Sequence, residues 1–142
     1  MRVVLDTNTA ISGLLWNGPP REIIDAAIAG EIELISAEHL LDELLDVLGR
    51  PKLARRLLLH KVTPPELLAV YRQLVRVVLP ASLPAPVTRD PDDDLVLACA
   101  LAAKAEAIVS GDDDLLSLGS YANIPILRAA AFLTRLRLPP KP

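Results

Sequence analysis

The chain is 142 residues long, 51% apolar and 23% charged, which suits one globular domain and excludes general disorder. Its net charge of −3, from 15 Lys+Arg against 18 Asp+Glu, excludes a strongly basic protein that coats nucleic acid, and 3% aromatic residues are too few for a base-stacking platform. The single cysteine, Cys99, excludes an internal disulfide and a cysteine metal site.

The chain opens with a short apolar strand, Arg2 to Leu5, that stops at Asp6-Thr7-Asn8-Thr9, four residues that cap helices well. Asp6 also ends the N-terminal apolar stretch too early for a signal-peptide core. A helix is predicted from Ala10 to Trp16, ended by Asn17-Gly18-Pro19-Pro20, and a second from Arg21 to Ala29, closed by Gly30. Glu33 to Ile35 reads as a strand. Ser36 is then the expected cap of a helix running to Leu48, stopped by Gly49-Arg50-Pro51. Lys52 to His60 reads as a Leu-rich helix. Thr63-Pro64-Pro65-Glu66 is a capping box for a helix to about Leu74.

Arg76 to Leu79 reads as a strand, and the Pro-rich run Pro80 to Thr88 as an extended loop. Asp90 to Asp94 starts a helix through Lys104 that is apolar on nearly every side and so is expected at the centre of the fold. Its apolar run, Leu95–Ala103, is nine residues, against the ~20 needed to span a bilayer. Ala107 to Val109 is a strand, Leu115 to Leu118 a short turn or helix, and Ile124 to Leu127 an edge strand because Pro125 cannot donate to a ladder. A last helix covers Ala129 to Leu136. Alternating strands and helices predict an α/β fold, three layers with a mostly parallel central sheet and helices on both faces. One domain over residues 1–138 with a tail at 139–142 is expected, in a soluble cytoplasmic protein.

Seven of the 18 acidic residues fall in two clusters, Asp90–Asp94 and Asp112–Asp114. Asp6 follows the first strand, Asp112 follows a later strand by a Ser-Gly step, and Asp94 opens the buried helix. In a parallel sheet these positions share one edge, and ligands bind outside the carboxyl ends of such strands. Converging carboxylates repel and resist burial, and a hard divalent cation, Mg²⁺ or Mn²⁺, relieves both costs through oxygen ligands. On a helical wheel of the segment after Ser36, Glu43 borders the apolar arc beside Val47, and Glu38 borders its other side. Glu38 lies in the first turn, where a carboxylate favours the helix dipole, so Glu43 is the better fourth acid. Taken individually, Asp6 and Asp114 are equally readable as helix caps, Asp92 and Asp93 read as capping and first-turn acids, Asp94 alone reads as a structural acid, Asp113 as solvated, and Thr7, Asn8 and Ser110 as turn residues. Seven of the 15 basic residues lie between Arg50 and Arg76 with only Glu66 among them, a solvated face or a contact for a phosphate backbone. Arg89, beside Asp90, suits either a phosphate contact or a pair with a neighbouring carboxylate. Cys99 reads as a small core residue, and His39 and His60 as surface or structural.

In order and spacing, Leu5-Asp6-Thr7-Asn8, Ser36 followed by Glu43-Leu44 and Val47-Leu48, Arg89-Asp90-Pro91-Asp92-Asp93-Asp94 before an apolar helix, and Val109-Ser110-Gly111-Asp112-Asp113-Asp114-Leu115-Leu116 resemble a PIN domain. The branch resembled is that of toxins of type II toxin–antitoxin systems, of the VapC kind. The resemblance implies a metal-binding acidic quartet, Asp6, Glu43, Asp94 and Asp112, with Asp114 at a frequent fifth acidic position. Asn8 and Ser110 match polar positions that orient carboxylates or water; Ser110 stands where threonine is common and keeps the hydroxyl. Asp93 and Asp94 are adjacent, so the register allows either; Asp94 is taken because Leu95-Val-Leu-Ala-Cys99 follows it as the family's apolar helix does. The implied activity is Mg²⁺- or Mn²⁺-dependent hydrolysis of RNA, with Arg55, Arg56 and Arg89 holding the RNA backbone, a cognate antitoxin as partner, and a homodimer, for which Leu53 to Leu59 offers an interface. Two other readings remain at this point. One is a non-catalytic PIN-like interaction module. The other is a haloacid-dehalogenase-like phosphohydrolase, which needs a second aspartate two residues after the first, where this chain has Asn8.

Overall fold

The computed structural model describes residues 1–138; the expected tail at 139–142 lies outside the described residues. In chain order the elements are β1 (Arg2–Leu5), α1 (Thr7–Leu15), α2 (Pro19–Ile28), β2 (Glu33–Ser36), α3 (Glu38–Leu48), a 3-10 turn (Pro51–Leu53), α4 (Ala54–Leu59), α5 (Pro64–Leu74), β3 (Val75–Val77), α6 (Pro91–Ala103), β4 (Ala107–Val109), α7 (Asp113–Leu116), β5 (Ser120–Tyr121), β6 (Ile124–Leu127) and α8 (Ala129–Arg137). The strands form one sheet in the order β3-β2-β1-β4-β6-β5, parallel throughout except where β5 meets β6. This is the expected α/β architecture with a mostly parallel sheet.

Strand alternation builds two cores. Val3, Leu5, Leu34, Ala107 and Val109 face α1, α2, α3, α5 and α8. Val4, Ile35, Ile108 and Ile126 face the other way, against Val96, Leu97, Cys99 and Ala100 of α6. Helix α6 is therefore central, which explains its apolar character all round. Cys99 is fully buried, and burial pushes its thiol up to about 12, so it is an unreactive core residue. Helices α1 and α2 cross closely at Gly13, where a Cβ would lie 2.8 Å from the Pro20 carbonyl oxygen.

Several element boundaries differ from expectation for local reasons. Helix α1 starts at Thr7 rather than Ala10, because Asp6 caps it by accepting from Thr9 N–H at 2.8 Å. Ser36 caps no helix: it is the last residue of β2, paired with Val77, and Ala37 occupies the cap position of α3. The segment Lys52 to His60 is split into the 3-10 turn and the short α4. Strand β3 is Val75–Val77, one residue earlier and two shorter at its end than the expected strand. The capping box at Thr63 and Glu66 forms as expected. Strand β6 is not an edge, since β5 covers it. Pro125 is tolerated there because the β4–β6 pairs begin one residue later, at Ile126 with Ile108, and Ile126 N–H serves the other side by donating to Gly119 O.

Candidate metal centre

The sheet order reverses between β1 and β4. Chain leaving β1 goes to β2 on one side, and the later strands β4 and β6 lie on the other. Register pairs Leu5 with Val109, so the next residues, Asp6 and Ser110, leave the sheet side by side at its carboxyl edge. The backbone keeps them together, with Asp6 N–H donating to Val109 O and Ser110 N–H to Leu127 O.

Asp6 is buried and both its oxygens are engaged. One accepts from Thr9 N–H and the other from the Ser110 hydroxyl. The same Ser110 oxygen accepts from Asp112 N–H at 2.9 Å, which ties the two acidic loops to each other. Asp112 in turn caps α7 by accepting from Asp114 N–H at 2.7 Å.

Helix α6 delivers the third acid. Asp90 caps it, accepting from Asp92 N–H at 2.8 Å, and Pro91 takes the first helical position. That phase puts Asp93 in line with Val96, Leu97 and Ala100, on the buried face. Carboxylate oxygens of Asp93, Asp112 and Asp114 all lie within 4.8 Å of one another. Asp6, Thr7, Asn8, Glu43, Asp90, Asp92, Asp93 and Asp112 line a single cavity of about 90 Å³. Burial, and then the carboxylates of Asp112, Asp90, Asp6 and Asp114, push the Asp93 carboxyl up to about 7. Glu43 also rises to about 7, first through burial and then through the facing Asp92 carboxylate.

The structure therefore brings Asp6, Glu43, Asp112 and Asp114 of the expected set to one place, but not Asp94. The Asp94 carboxylate turns to the loop before α6 and accepts from Thr88 N–H (2.7 Å), the Thr88 hydroxyl (2.8 Å) and Val87 N–H (3.1 Å). Burial alone would raise its pKa; these donors outweigh burial and hold it below the usual carboxylate range. At this motif it is Asp93, one residue earlier, that faces the cavity. No wheel separates the two positions, because α6 is apolar on every side; only the cap at Asp90 sets the phase.

The remaining candidates fall as follows. Asn8 lines the cavity. Glu38 is exposed and pairs with Arg72 through two hydrogen bonds of 2.8 and 3.0 Å. Arg89 pairs with Asp114 at the rim of the cluster. Arg56 is held at the other end of α1 from Asp6, about 14 Å along the helix axis. There its Nε donates to Leu15 O at 2.8 Å and its guanidinium lies 4.9 Å from the centre of the Trp16 ring. Arg55 is exposed on the same short helix. Arg128, which sequence reasoning did not single out, stands 3.5 Å from Asp113; its position before α8 carries no signal until β6 places that loop beside the acidic one.

Two buried polar atoms among the described residues lack a hydrogen-bond partner, Asp93 Oδ2 and Thr7 Oγ1, and both residues line the same cavity. Unpaired buried polar atoms are costly and rare. An unpaired carboxylate oxygen among several other carboxylates is suited to ligate a cation. The donors are all oxygen, which suits a hard divalent ion.

Fold and site together define an α/β domain whose sheet reverses at a pocket of carboxylates fit to hold a divalent cation. The PIN-domain family model matches residues 2–114, and the chain belongs to the PIN-domain family. PIN domains are generally nucleases that use divalent metals, which accords with the acidic cluster. No curated protein and no solved structure matched the chain. No helix among the described residues is long and apolar enough to cross a membrane.

Proposed function

We propose that this protein is a Mg²⁺- or Mn²⁺-dependent endoribonuclease that hydrolyses RNA phosphodiester bonds. The observation that carries this reading is Asp93, buried with an unpaired oxygen, facing Asp112 and Asp114 at the point where the sheet reverses. Asp93, Asp112 and Asp114 would hold the cation, with Asp6 and Glu43 completing the acidic wall. A bound divalent ion supplies a Lewis acid for the phosphoryl oxygens and acidifies a coordinated water. The protein's part is to fix the carboxylates. Ser110 orients Asp6 against the Asp112 loop, and the Thr9 amide holds the other Asp6 oxygen. Asn8 would supply an amide on the cavity wall. Arg89 is the cation closest to the cluster and is the first candidate for a contact to the RNA backbone. Arg55 and Arg56, about a helix length away, would meet a strand only beyond the cleavage point.

RNA as the substrate, and the role of a toxin, rest on the resemblance to the VapC branch. In that role the chain would pair with an antitoxin and with a second copy of itself. Helix α4 leaves Leu58 and Leu59 in solvent while Leu57 enters the core, a surface that a second copy would cover. A short reading frame next to this gene whose product binds the chain would support the toxin role.

The test is cleavage of a random-sequence RNA pool with sequencing of the new ends. Wild type, Asp6→Asn and Asp93→Asn are compared with Mn²⁺, with Mg²⁺ and with EDTA. Cuts in wild type with metal, absent with EDTA and reduced at least 100-fold in both variants, are expected. Cuts that persist in EDTA, or equal cuts by Asp93→Asn, would overturn the reading.

A further inference from the structure

Arg89 stands at the end of a strap. The loop before α6 is pinned by the Asp94 carboxylate to Val87 and Thr88, and the Thr88 hydroxyl also lies 2.8 Å from Asp90 O. The backbone on both sides of Arg89 is thus fixed to the first turn of α6. From there the side chain runs through solvent, 88% exposed, and reaches back to the acidic cluster. Its Nη2 donates to both oxygens of Asp114, at 2.8 and 3.1 Å.

Asp114 is one of the three carboxylates whose oxygens converge. Its charge is the one in that group already met by a side-chain cation, while Asp93 keeps an unpaired oxygen. A long arginine from this pinned loop thus stands as counter-ion to one carboxylate of the cluster. We propose that Arg89 gates the cluster: it holds Asp114 in the cation-free protein, and a divalent ion takes Asp114 as a ligand only by displacing the guanidinium.

The gate rests on the reading of Asp93, Asp112 and Asp114 as the cation site. Its hydrogen bonds run from Arg89 to Asp114, and Asp112 adds only a lesser charge attraction, so most of its effect belongs to that pair. Exposed ion pairs are weak, so the gate lowers cation affinity only about three- to five-fold.

Binding of Mn²⁺ alone, followed by the loss of the free-ion paramagnetic resonance signal, tests it without reference to cleavage. Five proteins are titrated at one ionic strength: wild type, Arg89→Gln, Asp114→Asn, the double variant and Asp93→Asn. Arg89→Gln is expected to bind Mn²⁺ about three- to five-fold tighter than wild type. In the Asp114→Asn background the same change is expected to leave affinity within about two-fold. Equal tightening in both backgrounds would reduce Arg89 to a general charge effect and overturn the gate, as would an Arg89→Gln affinity no better than that of wild type. Asp93→Asn is expected to lose Mn²⁺ binding. If it binds as wild type does, the cluster itself is not the cation site, and that separate result removes both the gate and the reading beneath it.

Discussion

Asp93 and Asp94 are chemically identical neighbours with opposite fates. One carboxylate is buried and raised to about 7 by burial and four other acids; the other is held down by three donors from a loop. The sign of each effect on stability differs. An acid raised in the folded state keeps protons that the unfolded chain has released, so its contribution is present at low pH and lost as pH rises through the folded value. For Asp93, from 3.8, and Glu43, from 4.5, that loss runs up to about pH 7. Asp94 acts the other way: its contribution is present above the unfolded value and lost as pH falls below it. The cation-free protein in EDTA should therefore have its highest melting temperature at about pH 4, and melt progressively lower up to about pH 7. Asp93→Asn should flatten the upper limb of that curve, measured by circular dichroism. A wild-type melting temperature that does not change between those values would show that these carboxyls carry no such strain.

At the scale of elements, the loop between β3 and α6 depends on one side chain. Residues 80–90 contain no strand or helix before Pro91, and Asp94 gathers two amides and a hydroxyl of that loop onto the helix start. Hydrogen bonds to an ionised group contribute roughly 1.5–3 kcal/mol. Asp94→Asn should lower stability by about 1–2 kcal/mol and speed amide exchange at Val87 and Thr88, while Mn²⁺ binding persists. Unchanged protection at those two amides would remove Asp94 from this role. The capping box at Thr63 was legible because it rests on contacts three residues apart. The cap proposed at Ser36 failed because β2 extends one residue further to pair with Val77, a contact 41 positions away in the chain.

The molecule as a whole gathers like charge at one edge of its sheet. β1, β4 and α6 are far apart in sequence, yet each brings an acid to the cavity. That arrangement stores repulsion in the folded state, which a bound cation would release. A ligand at 100 times its dissociation constant stabilises the native state by about 2.7 kcal/mol. For a chain of this length that raises the melting temperature by roughly 5–10 °C. Mn²⁺ at that level should produce such a rise in the wild type at about pH 8 and none in the Asp93→Asn and Asp112→Asn variants, measured by scanning calorimetry. A rise of equal size in Asp93→Asn would place the cation elsewhere.

The sequence by itself determined the α/β class, the order of the strands and helices apart from β5, and three acids that line the cavity, Asp6, Glu43 and Asp112. Each of these is written locally, in alternation, in turn chemistry or in the position of an acid just past an apolar run. Tertiary structure alone decided which of Asp93 and Asp94 faces the cavity, that Arg89 reaches Asp114, that Arg56 is held against Trp16, and that β6 lies inside the sheet. A helix that is apolar all round has no sequence-readable face, and a long arginine finds whichever partner the packed strands and helices bring within its reach.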